Sequence, residues 1–255
     1  MKKYNHMELM ITIASRVLED GAVVFVGTGV PLFAAMLAQK ISSPNLLIMF
    51  EAGGADPKMN RLPISVGDSR STHKGVKATT MAEMMEFCQQ GVVDYCFLGG
   101  AQIDKYGNMN STVIGDYNKP KIRFPGSGGA NDLASLCWKT LIVTPQNNKR
   151  FVKKPDFITT PGYLTGDSSR EDSGLPLNTG PYKVITDIGV YGFHPKTKEM
   201  MLQSLNPGNT VEDVRNNTEF DILISDNVEK TLEPTEEELK ILRDEVDPDK
   251  MVIGK

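Results

Sequence analysis

One glutamate, Glu51, stands directly after the apolar run LLIMF (46–50) and directly before Ala-Gly-Gly (52–54). A run of this kind predicts a buried strand, so Glu51 should lie at its carboxyl end. Ligands of open α/β sheets bind outside that end, and the two glycines would admit another molecule closely. An ionised carboxylate there could act as a nucleophile in acyl transfer. The alternative is a carboxylate that only accepts N–H bonds from the Gly-Gly turn.

A second glycine turn, GTG (27–29), follows the apolar run 22–26 and precedes Pro31. The order of residues predicts a strand, a turn and a helix with proline in its first turn. The turn also resembles the start of a dinucleotide fingerprint, because Glu51 lies 22 residues after Gly29. Leu32 replaces the third glycine of that fingerprint, so the pattern is only weak support for NAD binding.

The segment with the highest glycine density is GSGGAN (126–131). Successive backbone N–H groups in such a turn, ahead of a helix, form a concavity that binds anions. The turn could hold a phosphate or a tetrahedral oxyanion, and one preorganised donor there contributes about 2.7–4 kcal/mol in the transition state. An ordinary tight turn is the alternative.

Composition excludes several classes of protein. The 255 residues carry a net charge of −4 with no basic stripe, which argues against nucleic-acid binding. No apolar run is long enough to cross a membrane, and no secretory signal is expected. The three histidines lack metal-ligand spacing, and the three cysteines form no C-x-x-C pair, so we expect no metal and a cytoplasmic protein. Cys88 is interpreted as a core thiol rather than a nucleophile.

The surrounding pattern predicts an α/β fold, with an open, largely parallel sheet flanked by helices. Helix 5–20, strand 22–26, a helix after GTG and strand 46–50 form a parallel βαβ unit. The later elements expected are a helix from 80 to 90, a strand over 93–98, a short helix after GSGGAN, strands over 140–144, 156–159 and 182–193, and a helix from 235 to 244. We predict one domain over residues 1–255.

Taken together, the motifs resemble those of one known family. They are GTGVP (27–31), SVGD (65–68), GGAQID (99–104), GNMNST (107–112), PKIRFPGSGGAN (120–131) and TPG (160–162). Their identity and order along nearly the whole chain resemble the beta subunits of the family I CoA-transferases. The resemblance implies the open α/β fold already predicted.

The resemblance also implies a chemistry. The glutamate at Glu51 attacks an acyl-CoA, and a glutamyl-CoA thioester forms before an acceptor acid takes the CoA. CoA is therefore both substrate and part of the covalent intermediate. The site residues implied are Glu51 as catalyst, Gly128, Gly129, Ala130 and Asn131 as oxyanion or CoA contacts, and Gly27, Thr28, Gly29, Gly53 and Gln102 around the pocket.

Such beta subunits work with a separately encoded alpha subunit, in an α2β2 or higher assembly. The segment after Glu51 departs from the family pattern, which leaves the acyl group open among glutaconate-like, other short dicarboxylic and branched acids. An acyl-CoA hydrolase or decarboxylase of the same superfamily is an alternative. A CoA- or nucleotide-binding subunit without catalysis is another. Retention of Glu51 favours transfer.

Overall fold

The computed structural model describes residues 4–59 and 61–253. The chain divides into two compact units, which we call unit 1 (up to residue 97, and again from 233) and unit 2 (98–232). A single domain over residues 1–255 stays a prediction. Within the described ranges, none of the helices has the length and apolar character needed to cross a membrane.

The elements follow in chain order. The first group comprises α1 (His6–Arg16), β1 (Val23–Phe25), α2 (Val30–Ile41), β2 (Leu47–Met49), β3 (Gly54–Ala55), a 3-10 helix (Ser69–Thr72), β4 (Lys77–Ala78), α3 (Met81–Gln89) and β5 (Tyr95–Leu98). The second comprises β6 (Gln102–Ile103), β7 (Met109–Asn110), β8 (Val113–Gly115), β9 (Pro120–Arg123), α4 (Ala130–Leu136), β10 (Lys139–Val143), α5 (Ser169–Asp172), β11 (Pro181–Ile185), β12 (Gly189–Phe193), β13 (Met200–Leu205), α6 (Val211–Asn216) and β14 (Leu223–Lys230). The chain then returns to unit 1 with α7 (Glu236–Ile241) and a π-helical turn (Leu242–Val246).

The strands of unit 1 lie in the order β5-β1-β2-β3-β4. β1 is parallel to both β2 and β5, and Phe25 is paired with Met49 across β1 and β2. The Val26 N–H continues this ladder to the Met49 carbonyl at 3.0 Å. The predicted α/β fold and its βαβ unit are confirmed; β3 and β4, which pair antiparallel beyond β2, were not foreseen.

Contacts between distant parts of the chain close unit 1. Asn5 and Glu8 form a capping box at the start of α1, and Asn5 Nδ2 donates to the Ile253 carbonyl at 2.8 Å. The buried carboxylate of Glu8 accepts from Arg243 Nε at 2.6 Å. The helix predicted over 5–20 ends at Arg16 instead, because the chain turns before β1.

The final helix of the chain begins where the capping pattern predicts. The Thr235 side chain accepts from the Glu238 N–H, and the Glu238 carboxylate accepts from the Thr235 N–H at 2.7 Å. Arg16 of α1 donates to the same carboxylate at 2.6 Å. Burial acts to raise the pKa of Glu238, but hydrogen bonds from Arg16 and Thr235 outweigh it and hold the pKa below its usual value.

The strands of unit 2 lie in the order β14-β13-β12-β11-β10, with β6-β7 and β8-β9 as separate hairpins. β10 is parallel to β11 and β13 is parallel to β14, whereas β12 is antiparallel to both of its neighbours, β11 and β13. The core is apolar, with Ile103, Met109, Ile142, Phe151, Val184, Ile188, Tyr191, Met200, Leu202, Val214 and Phe220 buried together.

Two strand predictions in unit 2 need correction. The strand expected over 182–193 is two antiparallel strands, β11 and β12, joined by a turn. The strand expected over 156–159 is wrong, since no strand forms there. The segment bonds to scattered partners instead of forming a regular ladder: the Asp156 N–H donates to Gln102 Oε1 at 2.9 Å, and the Thr159 N–H donates to the Met109 carbonyl at 2.8 Å.

Candidate active site

Glu51 lies in a tight turn at the carboxyl end of β2. The Gly53 N–H donates to the Phe50 carbonyl at 3.1 Å, which makes Glu51 and Ala52 the two central residues of the turn. Phe50 is fully buried, whereas Glu51 is only half-buried. This amide of the Gly-Gly turn thus closes the backbone turn, and the nucleophilic role of Glu51 stays a prediction.

The two glycines after Glu51 are needed by the chain itself. Gly53 has a φ of +119°, and a Cβ built there would lie 1.9 Å from the Thr79 carbonyl oxygen. A Cβ on Gly54 would lie 1.8 Å from the Ser71 carbonyl oxygen. The close approach that the sequence predicts therefore exists, but backbone of the same chain makes it. The pocket role of Gly53 stays a prediction.

The GTG turn lies at the same edge of the sheet as Glu51, because it follows β1 and β1 is parallel to β2. Gly29 has a φ of +88° at the N-cap of α2, and no side chain caps that end among the described residues. Thr28 lies half-buried between the two glycines. A Cβ at Gly27 would meet nothing within 4 Å, so there is open space beside this turn. The positive end of the α2 dipole favours anions here.

In unit 2 the GSGGAN turn leads into α4, as predicted. The Ala130 N–H donates to the Ser127 carbonyl at 3.0 Å, and the Asn131 N–H donates to Ser127 Oγ at 3.0 Å. Gly129 is buried, whereas Gly128 is exposed at a φ of +50°. No acceptor for the Gly128 N–H occurs in the described parts of the chain. Of the predicted amide donors, Gly128 is thus the one best placed for a ligand, while Ala130 serves the turn.

Asn131 and Gln102 hold unit 2 together. Asn131 Nδ2 donates to the Thr159 carbonyl at 2.9 Å, which ties the GSGGAN turn to that loop. The buried Gln102 amide donates to Asp156 at 3.1 Å and accepts from Asn110 Nδ2 at 2.7 Å. The Gln102 amide and the Asn131 Nδ2 group therefore have partners inside unit 2. Their roles toward a ligand stay predictions.

A residue that the sequence analysis missed anchors the end of α4, the helix that follows the GSGGAN turn. Arg170 is fully buried, and its guanidinium donates to the Ala134 carbonyl at 2.8 Å and the Gly162 carbonyl at 2.9 Å. It also donates to Thr179 Oγ1 at 3.0 Å. Ala134 belongs to the last turn of α4, so Arg170 joins α4 to the TPG loop. Its neighbours in sequence, SSREDSG, are typical of an exposed segment and carry no sign of this burial.

Asp104 and Asn108, from two of the sequence motifs, form another buried anchor. The Asp104 carboxylate accepts from Asn108 Nδ2 at 2.8 Å and from the N–H of Asn108 at 3.0 Å. Burial raises the pKa of Asp104 although these hydrogen bonds act to lower it. Asn108 Oδ1 in turn accepts from the Gly162 N–H at 2.8 Å, so this anchor meets the TPG loop as well.

The predicted site residues therefore form two sets. Unit 1 brings together Glu51, Gly53 and the GTG turn; unit 2 brings together the GSGGAN turn and Gln102. All three cysteines are buried and none forms a disulfide within the described residues, and Cys88 is a core residue as predicted. Among residues 4–59 and 61–253, no three or more His, Cys, Asp or Glu side chains are grouped to hold a metal ion. A reaction without metal stays a prediction.

Comparison with known proteins adds a family match and relatives of similar length. The family model for coenzyme A transferase matches residues 7–217. The chain is 41% identical over 244 residues to the beta (B) subunit of 3-oxoadipate CoA-transferase from Pseudomonas knackmussii, covering 95% of this chain and 94% of that protein. It is 40% identical over 250 residues to the beta (B) subunit of glutaconate CoA-transferase from Acidaminococcus fermentans, covering 96% and 93%.

The fold has a counterpart among solved structures. The crystal structure of glutaconate coenzyme A-transferase from Acidaminococcus fermentans superposes with a TM-score of 0.94 at 38% sequence identity. The match covers 99% of this chain and 98% of that chain. Both units therefore have their counterparts in that one protein.

Proposed function

The chain belongs to the coenzyme A transferase family, and we propose that Glu51 is the nucleophile with which it moves CoA between an acyl-CoA and a carboxylic acid. The observation that carries this proposal is the Glu51 turn. It places a half-buried carboxylate at the carboxyl edge of parallel strands, beside an open glycine loop and the uncapped end of α2.

The proposed reaction needs no proton transfer. The Glu51 carboxylate attacks the thioester carbonyl, the carbon–sulfur bond breaks, and CoA leaves as a thiolate from an acyl-glutamyl anhydride. The thiolate attacks the glutamyl carbonyl, which releases the first acid and leaves a glutamyl-CoA thioester. The acceptor carboxylate then repeats the two steps in reverse, and Glu51 is recovered as a carboxylate.

We also propose that the GSGGAN turn of unit 2 binds an anion, either a phosphate or an oxyanion. Its donor is the N–H of Gly128, which has no acceptor among the described residues, and Ser127 fixes the turn around it. A preorganised donor of this kind contributes about 2.7–4 kcal/mol to transition-state stabilisation. Gly129, Ala130 and Asn131 then act mainly by shaping the turn.

For the acyl group we propose a short dicarboxylic acid. Two relatives at 40–41% identity are named for glutaconate and 3-oxoadipate, which are both dicarboxylates. Both are beta (B) subunits by name, which supports a separately encoded alpha subunit for this chain, in an α2β2 or higher assembly. Co-expression with candidate alpha subunits, followed by size-exclusion chromatography, tests the assembly: a chain that elutes alone from every pairing would contradict it.

Hydrolysis or decarboxylation of an acyl-CoA is less favoured, because these two relatives are named as transferases and Glu51 is retained. The same argument applies to CoA binding without catalysis. A direct test separates the three. CoA release without an acceptor acid would identify a hydrolase, release of CO2 with the CoA thioester intact would identify a decarboxylase, and binding without turnover would identify a non-catalytic role.

The decisive experiment traps the intermediate on the assembled enzyme. After incubation with acyl-CoA, borohydride reduces a glutamyl-CoA thioester to an alcohol, and mass spectrometry locates the change in the peptide that contains Glu51. Glu86→Gln on the exposed face of α3 is the matched control and should still be labelled. Turnover of acyl-CoA without label on Glu51 would disprove the proposed nucleophile.

A further inference from the structure

Unit 1 contains a basic cavity that the proposed reaction has not used. Its volume is about 280 Å3, and it is lined by Met59, Arg61, Arg70 and His73. All four residues belong to the segment 56–79, which leaves the sheet after β3 and returns at β4. Two guanidinium groups and an imidazole around one apolar side chain form a site suited to an anion with several oxygen atoms.

Backbone and side-chain hydrogen bonds together fix the shape of this cavity. The Lys58 N–H donates to the His73 carbonyl at 2.9 Å, which joins the outgoing and returning limbs of the segment. Arg70 donates to the Leu62 carbonyl at 2.7 Å and pairs with Asp68 at 2.9 Å. The cavity is therefore held open by the fold around it, with one guanidinium already oriented.

The segment is basic in an otherwise acidic chain. Residues 56–79 contain five Lys or Arg and two Asp, a net charge of +3, whereas the whole chain carries −4. Lys58, Lys77 and Arg70 pair with carboxylates. Arg61 is exposed and has no ion pair within the described residues, so its charge is available to a ligand. On its other side Arg61 borders a cavity that also contains Glu245 and Asp249, where an anion would be repelled.

The same segment contacts the two glycines that follow Glu51. The Thr79 N–H donates to the Gly53 carbonyl at 2.9 Å, and the Ser71 carbonyl lies against Gly54. Ser71 is adjacent to Arg70 in the chain. The basic cavity and the Glu51 turn are thus parts of one continuous, hydrogen-bonded piece of unit 1.

We propose that this cavity binds phosphate groups of CoA, with Arg61 and Arg70 as their main contacts. The proposal rests on the proposed function, which makes CoA the substrate. Phosphate oxygens match the planar fork of arginine, and binding energy from this remote part of the substrate would help to drive the thioester toward Glu51. Fixation of Arg70 before binding reduces the ordering cost of the complex.

Equilibrium binding to the assembled enzyme tests the proposal without any need for turnover. The probes are CoA and pantetheine, which carries the same thiol arm but no phosphate. We expect Arg61→Gln to weaken CoA binding about tenfold and to leave pantetheine binding unchanged. Lys240→Gln removes the same charge from an exposed position on α7 and should change neither affinity.

Two results would overturn the proposal. One is an Arg61→Gln variant that binds CoA as tightly as the parent protein, or that loses CoA and pantetheine equally. The other is a loss confined to pantetheine that carries a dicarboxylic acyl group, which would assign the cavity to the distal carboxylate. Glu51→Gln should still bind CoA, so a failure of the nucleophile assignment and a failure of this cavity give different results.

Discussion

The two glycine-rich turns, one in each unit, use glycine for different physical reasons. In the Glu51 turn, side chains at Gly53 and Gly54 would collide with the backbone of Thr79 and Ser71. In the GSGGAN turn, a Cβ on Gly126 would meet nothing within 4 Å, but its φ is +96°. The first turn is thus constrained by packing as well as by the φ of Gly53, whereas at Gly126 in the second turn only backbone conformation requires glycine. A nucleophile in the first is held firmly, whereas amides in the second stay accessible.

The largest expected effect comes from the chemistry of the first turn. Glu51→Gln keeps the shape of the side chain but removes the nucleophilic carboxylate, so transferase activity should fall by roughly 10⁴-fold or more. Steady-state kinetics of the assembled enzyme measure this change. Glu86→Gln should retain the parent rate, and a modest loss in Glu51→Gln would mean that this carboxylate is not the nucleophile.

The packing of the first turn predicts the next effect. Gly54→Ala places a methyl group on the Ser71 backbone, so we expect a loss of roughly 3–5 kcal/mol in the free energy of unfolding. Gly27→Ala is the matched control in the same unit, since that position is open, and it should cost less than about 1 kcal/mol. Urea titration followed by circular dichroism compares the two. Equal effects would contradict the packing argument at Gly54.

For unit 2 the corresponding test is Arg170→Met. It leaves buried carbonyls of α4 and the TPG loop without their donor, which should cost roughly 2–4 kcal/mol and increase the mobility of the GSGGAN turn. Arg215→Met on the exposed surface of α6 is the control. Hydrogen exchange of peptides that contain residues 126–136 provides the specific readout. Unchanged exchange there would limit Arg170 to a general role in stability.

The smallest effect lies away from both turns, at Glu238. Because its pKa is lowered in the folded state, its contribution to stability is complete above its usual pKa of 4.5 and is lost as the pH falls below that value. We expect the stability difference between the parent protein and Glu238→Gln to be about 1 kcal/mol at pH 7 and to shrink toward pH 3. A difference that grows in acid would contradict the assigned direction.

The sequence predicts the parts of the fold that depend on local patterns. The apolar runs around GTG and Glu51 predict the βαβ unit, and the capping residues predict α1, α3 and α7. The pairing of β3 with β4, which depends on residues 22 or more apart, was missed, and so were the two short hairpins of unit 2. The strand predicted over 156–159 does not form: the Asp156 N–H donates to the Gln102 side chain, and Thr159 Oγ1 accepts from the backbone N–H of Ser111.

The candidate site divides in the same way. Glu51 and the glycine turns could be found because glycine and a strand-end carboxylate leave a pattern in the sequence. Arg170 and the cavity at Arg61 leave no such pattern, because their roles depend on contacts with residues that are distant in the sequence. Arg170 reaches Ala134, which is 36 residues away, and Lys58 bonds to His73 across a segment of mixed polarity.

The return of the chain to unit 1 at residue 233 has a consequence for how the protein folds. Unit 2 is one continuous stretch, so its contacts can form as soon as that stretch has left the ribosome. Unit 1 depends on partners such as Glu8 and Arg243, which are 235 residues apart, and closing such a loop is slow. The unit that bears Glu51 should therefore be the last to become native, and any enzyme activity should appear only after the final helix has docked.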